Sequence, residues 1–250
     1  YANYGIYVQG EKALAILSGT VNLSGDGAIG VHARDKGEID VTENGTVNFK
    51  DGVNQTGYYI FGAGSTIKNA ASSVQDASTQ NATLYRVDGG ASFYGSADSS
   101  AQLNASGDGA TIIRTTGAGS HFDSGKLALS VTGTGATGIR IEGGATGEIT
   151  SDAVIVRVAG KDTTAGIVDG NYYNLDGSVN DAQKGDSVLT SYAVLETANT
   201  ADGAFGYIAR NGGRLIHEGS INFTADNSTG ILVDGGILER SEEHTSELQS

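Results

Sequence analysis

The feature that most constrains this chain is a unit of about 27 residues, three short apolar strands separated by glycine turns, that recurs along its length. It is most legible from Thr137 to Val158, TGIRIEGGATGEITSDAVIVRV. Ile139 and Ile141 alternate with Arg140, Gly143 and Gly144 turn the chain, Ile149 follows Gly147 and Glu148, and Val154, Val156 and Val158 close the set at period two. No such strand buries its apolar face alone. The unit is stable only when neighbouring copies stack on it and continue one core.

A small residue followed by an aliphatic or aromatic one marks the phase: Gly5-Ile6, Gly30-Val31, Gly57-Tyr58, Thr83-Leu84, Thr111-Ile112, Gly138-Ile139, Gly166-Ile167, Gly206-Tyr207 and Gly230-Ile231. Successive markers lie 25, 27, 26, 28, 27, 28, 40 and 24 residues apart. Within each turn a second strand follows a glycine corner, as in Gly37-Glu38-Ile39-Asp40-Val41. A third strand then returns, with the echoes GTVNL at 19–23, GTVNF at 45–49 and GSINF at 219–223. Three strands per turn, with like strands stacking, predict an all-β parallel β-helix (solenoid) of about 8–9 turns. A propeller blade carries four strands in a longer unit, and no 3.6-residue apolar stripe predicts a helix.

Composition agrees. The chain has 39 Gly and no Pro, Cys, Met or Trp, which suits many tight turns and strands that all donate to a continuous ladder. The absence of cysteine excludes disulfide and thiolate-metal frameworks. Net charge is −14 with few, scattered Lys and Arg, so a nucleic-acid partner is not expected. Arg240 to Ser250, RSEEHTSELQS, reads as a translated sequencing adapter and is expected to be foreign to the protein. Those residues contribute one Arg and three Glu, which leaves −12 for residues 1–239. The expectation is an internal piece of a longer reading frame.

The 40-residue spacing implies an insertion at about 171–186, NYYNLDGSVNDAQKGD, expected to protrude and to offer Tyr172 and Tyr173 to a partner unless it merely lies outside the scaffold. Gly185-Asp186-Ser187-Val188 falls one residue short of an esterase block, but no helix follows and no triad partner is in reach. His32, His121 and His217 sit in different turns, so no metal site is expected and each reads as a surface or edge side chain. Glu38 and Asp40 flank Ile39 and point outward together, with Lys68 expected beside them as an ion pair. The Ser-Gly-Asp-Gly-Ala copies at 24–28 and 106–110 read as plain turns, since calcium-binding rolls need a tandem nonapeptide.

If Ile6, Val8, Ile139, Ile141, Ile231 and Val233 face inward, the outward stripe of the first strand is Tyr7, His32, Tyr59, Tyr85, Ile113, Arg140, Val168, Ile208 and Leu232. The third strand shows Thr20, Asn22, Thr46, Asn48, Ser220 and Asn222 instead. So apolar a stripe is expected to be either a contact surface or a sheet face half-covered by the insertion.

The runs GTVNLSGDGAIGVHARDKGEIDVTENGTVNF (19–49) and GGRLIHEGSINFTADNSTGILVDGG (212–236) resemble the passenger domains of type V autotransporters of Gram-negative bacteria, the pertactin-like group. The resemblance covers residues 1–239 and contains no protease domain. It implies a right-handed parallel β-helix exported through the outer membrane, displayed at or released from the cell surface, with a translocator barrel in the same parent chain. Family members are commonly adhesins. The expected function is therefore a non-catalytic stalk that also acts as an adhesin or self-association module, without cofactor, its partner a host or bacterial surface molecule. The alternative is a polysaccharide-active β-helix enzyme or a phage tail-spike module.

Overall fold

The computed structural model describes residues 3–71, 74–98 and 101–240; residues 241–250, nearly all of the suspected adapter, lie outside the described residues. Each turn opens with a six-residue strand: Tyr4–Gln9, Ile29–Arg34, Thr56–Phe61, Thr83–Asp88, Thr111–Thr116, Thr137–Glu142, Thr164–Asp169, Phe205–Arg210 and Thr229–Asp234. These nine strands pair in that order, all parallel, as the first sheet. The second strands form another nine-stranded sheet from Leu14–Leu17 to Ile237–Glu239. The third sheet comes in two pieces, a pair (Thr20–Ser24 with Thr46–Asp51) and six strands from Gln75–Ala77 to Ile221–Asn222. The molecule is a parallel β-solenoid of about nine turns. Its one helical element among the described residues is a 3₁₀ turn, Asp181–Gln183, inside the insertion.

One device sets the register. Each first-sheet strand carries a residue that the ladder skips, and that residue and its successor both face the core. In most turns it is glycine, as at Gly138, where a Cβ would stand 2.4 Å from the Ala165 carbonyl oxygen. In the fourth, fifth and seventh turns it is Leu84, Ile112 and Ala165, all fully buried. The phase markers there are accordingly one residue off. Because side chains alternate at period two, a slip of one exchanges the faces, and Tyr85, Ile113 and Val168, expected outside, lie in the core at 0% exposure. Arg86, Arg114 and Ile167 take the outward places.

Core residues stack in rows at the strand spacing of about 4.8 Å, and the rows interlock by size. The rings of Tyr58 and Tyr85 stack at 4.8 Å, Phe93 meets Tyr85 edge-on at 4.7 Å, and Phe122 follows at 5.7 Å. The next rung of Phe122's row is Gly147, where a Cβ would press the Ile141 side chain at 2.7 Å and the Phe122 ring at 3.2 Å. Gly166 makes the same room for Tyr207. Some buried polar atoms are paired between sheets: the Tyr58 hydroxyl donates to Gln75 (3.2 Å), whose amide donates to the Gly45 carbonyl (3.0 Å), whereas the Tyr85 hydroxyl has no hydrogen-bond partner among the described residues.

The corner before the first sheet is held by one left-handed residue per turn, Asn54, Asn81 and Asp162 among them. The two Ser-Gly-Asp-Gly-Ala copies sit at this corner and do one job. Asp26 accepts from the Val53 amide (3.0 Å) and Asp108 from the Thr134 amide (3.3 Å), each tying its corner to the next turn.

Of the histidines at 32, 121 and 217, two are buried, contrary to the surface reading: His217 in the core, and His32 in the outward row beneath neighbouring rings. His32 is 4% exposed and His217 is fully buried, its Nδ1 3.1 Å from the Ser191 carbonyl oxygen and its ring edge-on to Tyr207. Burial, aided by the Arg240 guanidinium, pushes His217 down to about 4. An unfolded chain takes up that proton near pH 6.5, so stability is lost as pH falls from 6.5 to 4, by up to about 3 kcal/mol. His217→Phe keeps a ring in place without a titrating group, and the Ser191 carbonyl still accepts from Glu218 N. The expected result is a smaller fall in Tm between pH 7 and pH 4.5 for the variant than for the parent; equal falls would contradict the assignment.

Candidate functional site

The true outward row of the first sheet is Tyr7, His32, Tyr59, Arg86, Arg114, Arg140, Ile167, Ile208 and Leu232. Six of its members coincide with the expected stripe. The row has three sections. At one end the rings of Tyr7 and His32 lie 5.3 Å apart, and His32 stacks on Tyr59 at 4.6 Å. Burial lowers the His32 pKa, partly offset by its contact with the Tyr59 carbonyl oxygen at 2.9 Å. Arg86 then covers the Tyr59 ring, its guanidinium carbon 4.8 Å from the centroid. Arg86 opens a run of three arginines completed by Arg114 and Arg140, and the far end is aliphatic.

Two residues along each strand a second row supplies counter-charges. Arg86 pairs with Asp88 (3.2 Å), Arg114 and Arg140 share Glu142 (2.9 and 3.2 Å), and Arg210 holds Asp169 (2.6 Å). Glu142 and Asp169 are buried. Burial pushes Asp169 up, but donors from Tyr173 Oη, Asn171 N, Asn211 Nδ2 and Arg210 outweigh it and hold the carboxyl below its ordinary range. The spacings Arg86-Val-Asp88 and Arg140-Ile-Glu142 were a readable signal for this network.

The insertion does not simply protrude. Its tip is exposed, Leu175 at 83%, while its base lies on the arginine section. An antiparallel bridge between Tyr173 and Val179 closes it, and Asn180 caps the 3₁₀ turn through the Ala182 amide. The Tyr172 hydroxyl reaches Asp88 at 3.4 Å, the Tyr173 hydroxyl donates to Asp169 at 2.7 Å, and the Tyr173 carbonyl accepts from Arg114 at 3.2 Å. Both tyrosines, expected to face a partner, are thus half-buried against the scaffold, and burial raises the pKa of each. Between loop and sheet remains a cleft of about 280 Å³, lined by Thr83, Thr111, Arg114, Arg140, Glu142, Arg210 and the loop residues Tyr173 to Leu175 and Gly177.

The other candidates have local partners. The Ser187 hydroxyl donates to the Asp169 carbonyl (2.6 Å) and accepts from Gly144 N (2.9 Å), joining two corners. Glu38 is held low by its bond to Lys68 at 2.7 Å, whereas burial and Glu38 raise Asp40. Their neighbours along the rows are Leu14 and Ile16 on one side, Thr66 and Lys68 on the other. His121 contacts Thr146 at 2.8 Å. Among the described residues no three His, Asp or Glu side chains gather as a metal site.

No family model matches the chain, and comparison with the curated proteins and with the solved structures gave no significant match.

Docking of the loop depends on close approach at Gly143. Its φ is +60°, and a Cβ there would stand 2.8 Å from Tyr172. Gly143→Ala adds that clash to about 1–2 kcal/mol of left-handed strain. The expectation is amide exchange roughly tenfold faster across 171–186 with the β-sheet circular dichroism unchanged; unaltered protection of the loop would contradict this docking.

Proposed function

We propose that this chain is a non-catalytic solenoid segment of an exported, surface-displayed protein, a rigid spacer whose first sheet is its contact face. The observation that carries the reading is the contrast between sheets. The third sheet turns mostly polar side chains outward, Thr20, Asn22, Asn48, Ser220 and Asn222 near its ends and the Arg157–Glu196 pair beside exposed Ile155 in its middle. The first gathers aromatic rings, arginines and a half-roofed cleft in one row, the residue types that dominate binding surfaces. Support for display at the surface of a Gram-negative cell, with a translocator barrel in the parent chain, is the resemblance of residues 19–49 and 212–236 to pertactin-like passengers. Its partner is a host or bacterial surface molecule, or a second copy of the chain. The row neighbours of Glu38 and Asp40 carry no further acid, which weighs against a polysaccharide-cleaving reading.

The test is display of the chain, fused to an outer-membrane barrel, on Gram-negative cells. Tyr59→Asp with Arg140→Glu should reduce adhesion or clumping roughly tenfold at equal display, while Asn22→Asp with Asn222→Asp on the third sheet should leave it unchanged. Equal behaviour of the two double variants would refute the contact-face reading.

A further inference from the structure

The arginine cleft has a charge surplus that its own carboxylates do not cancel. Arg86 and Arg210 each have a carboxylate partner, in Asp88 and Asp169, but Arg114 and Arg140 divide the single charge of Glu142. One positive charge is left over between Arg114 and Arg140, in a chain whose net charge is −14. Both arginines line the cleft. None of the insertion's three acids, Asp176, Asp181 and Asp186, lines the cleft. Asp181 pairs with Lys184, and Asp176 bonds the Ser178 amide (2.9 Å) and hydroxyl within its own turn.

The donors are arranged for an oxyanion. Arg114 gives Nε to Glu142 and Nη2 to the Tyr173 carbonyl. Arg140 gives only Nη1 to Glu142, which leaves its Nε–Nη2 edge, the fork that binds a carboxylate or sulfate through two parallel hydrogen bonds. The same cleft is lined by Thr83 and Thr111, by Asn174, whose Nδ2 donates to the Ser178 hydroxyl (3.0 Å) and leaves Oδ1 as an acceptor, and by Leu175 as its one large aliphatic side chain. Groups that both donate and accept suit a hydroxyl-bearing ligand better than an apolar peptide side chain.

Resting on the reading of the first sheet as a contact face, we infer that the cleft binds a singly charged acidic sugar, its carboxylate or sulfate on the Arg140 fork and its hydroxyls on Thr83, Thr111 and Asn174. A surplus of one charge fits a carboxylate or sulfate ester. The partner implied is an acidic glycan presented by another surface.

Saturation-transfer NMR on the whole chain at low salt tests this with D-glucuronate, galactose 6-sulfate, D-glucose, sodium acetate and an acidic dipeptide. The two charged sugars separate carboxylate from sulfate as the source of the anion. The expected result is binding of at least one charged sugar, with glucose, acetate and dipeptide roughly tenfold weaker, and loss of most binding in 0.3 M salt. Arg140→Gln should weaken it roughly tenfold, with Tm and loop protection unchanged because Arg114 still holds Glu142. Glucose binding as well as glucuronate would overturn the anion requirement. Acetate or dipeptide binding as well would overturn the sugar, and indifference to Arg140→Gln would overturn the site. If no charged sugar binds while the displayed chain still adheres through this face, the ligand assignment falls and the contact-face reading stands.

Discussion

Everything in this molecule depends on the parallel ladder, which places each side chain directly over its counterpart one turn earlier. Stacking at about 4.8 Å makes every row a one-dimensional packing problem. A row accepts Tyr58 and Tyr85 as a stacked pair, but Phe122 has to be followed by Gly147, and Gly166 has to precede Tyr207. The same ladder satisfies the backbone of all three sheets, so corners have to close without breaking it. Left-handed residues and side chains such as Asp26, Asp108 and Ser187, bonded to the adjacent turn, accomplish that.

Much of this is written in the period. The third-strand echoes place Asn22, Asn48 and Asn222 outside, where they are exposed, and the long spacing locates the insertion. The orientation of the first strand is less legible, because the skipped residue is recognisable only while it is glycine. Leu84 and Ile112 fill that place with apolar side chains, and Ala165 puts Gly166 one residue late, so a rule keyed to a small residue followed by an aliphatic or aromatic one slips in three turns. Each slip exchanged an arginine or isoleucine for a core residue. Arg86 and Arg114 were hidden by that slip, leaving Arg140 as the one arginine of the expected stripe, although the Arg-x-acid spacing lay in plain view.

The roofing of the sheet was harder still to read. Tyr172 lies 29 residues beyond Gly143 in sequence, and only the stacked fold brings them together. The network beneath the loop combines buried carboxylates with half-exposed guanidiniums, an arrangement that is costly without full pairing. Here Asp169 is saturated with donors, and the charge imbalance lies between Arg114 and Arg140, which share Glu142. A rigid scaffold thereby holds an unneutralised charge at a fixed place, which a flexible surface would not.

The central claim is an unbroken parallel stack, and the absence of cysteine allows a direct measurement of it. Tyr7 and Leu232 are both exposed and occupy the first and last rungs of one nine-stranded row. Spin labels on Tyr7→Cys and Leu232→Cys should report, by pulsed electron–electron double resonance, one narrow distance near 38 Å, from eight steps of about 4.8 Å. A broad distribution, or a distance below about 25 Å, is incompatible with rungs stacked at that spacing and would contradict the solenoid.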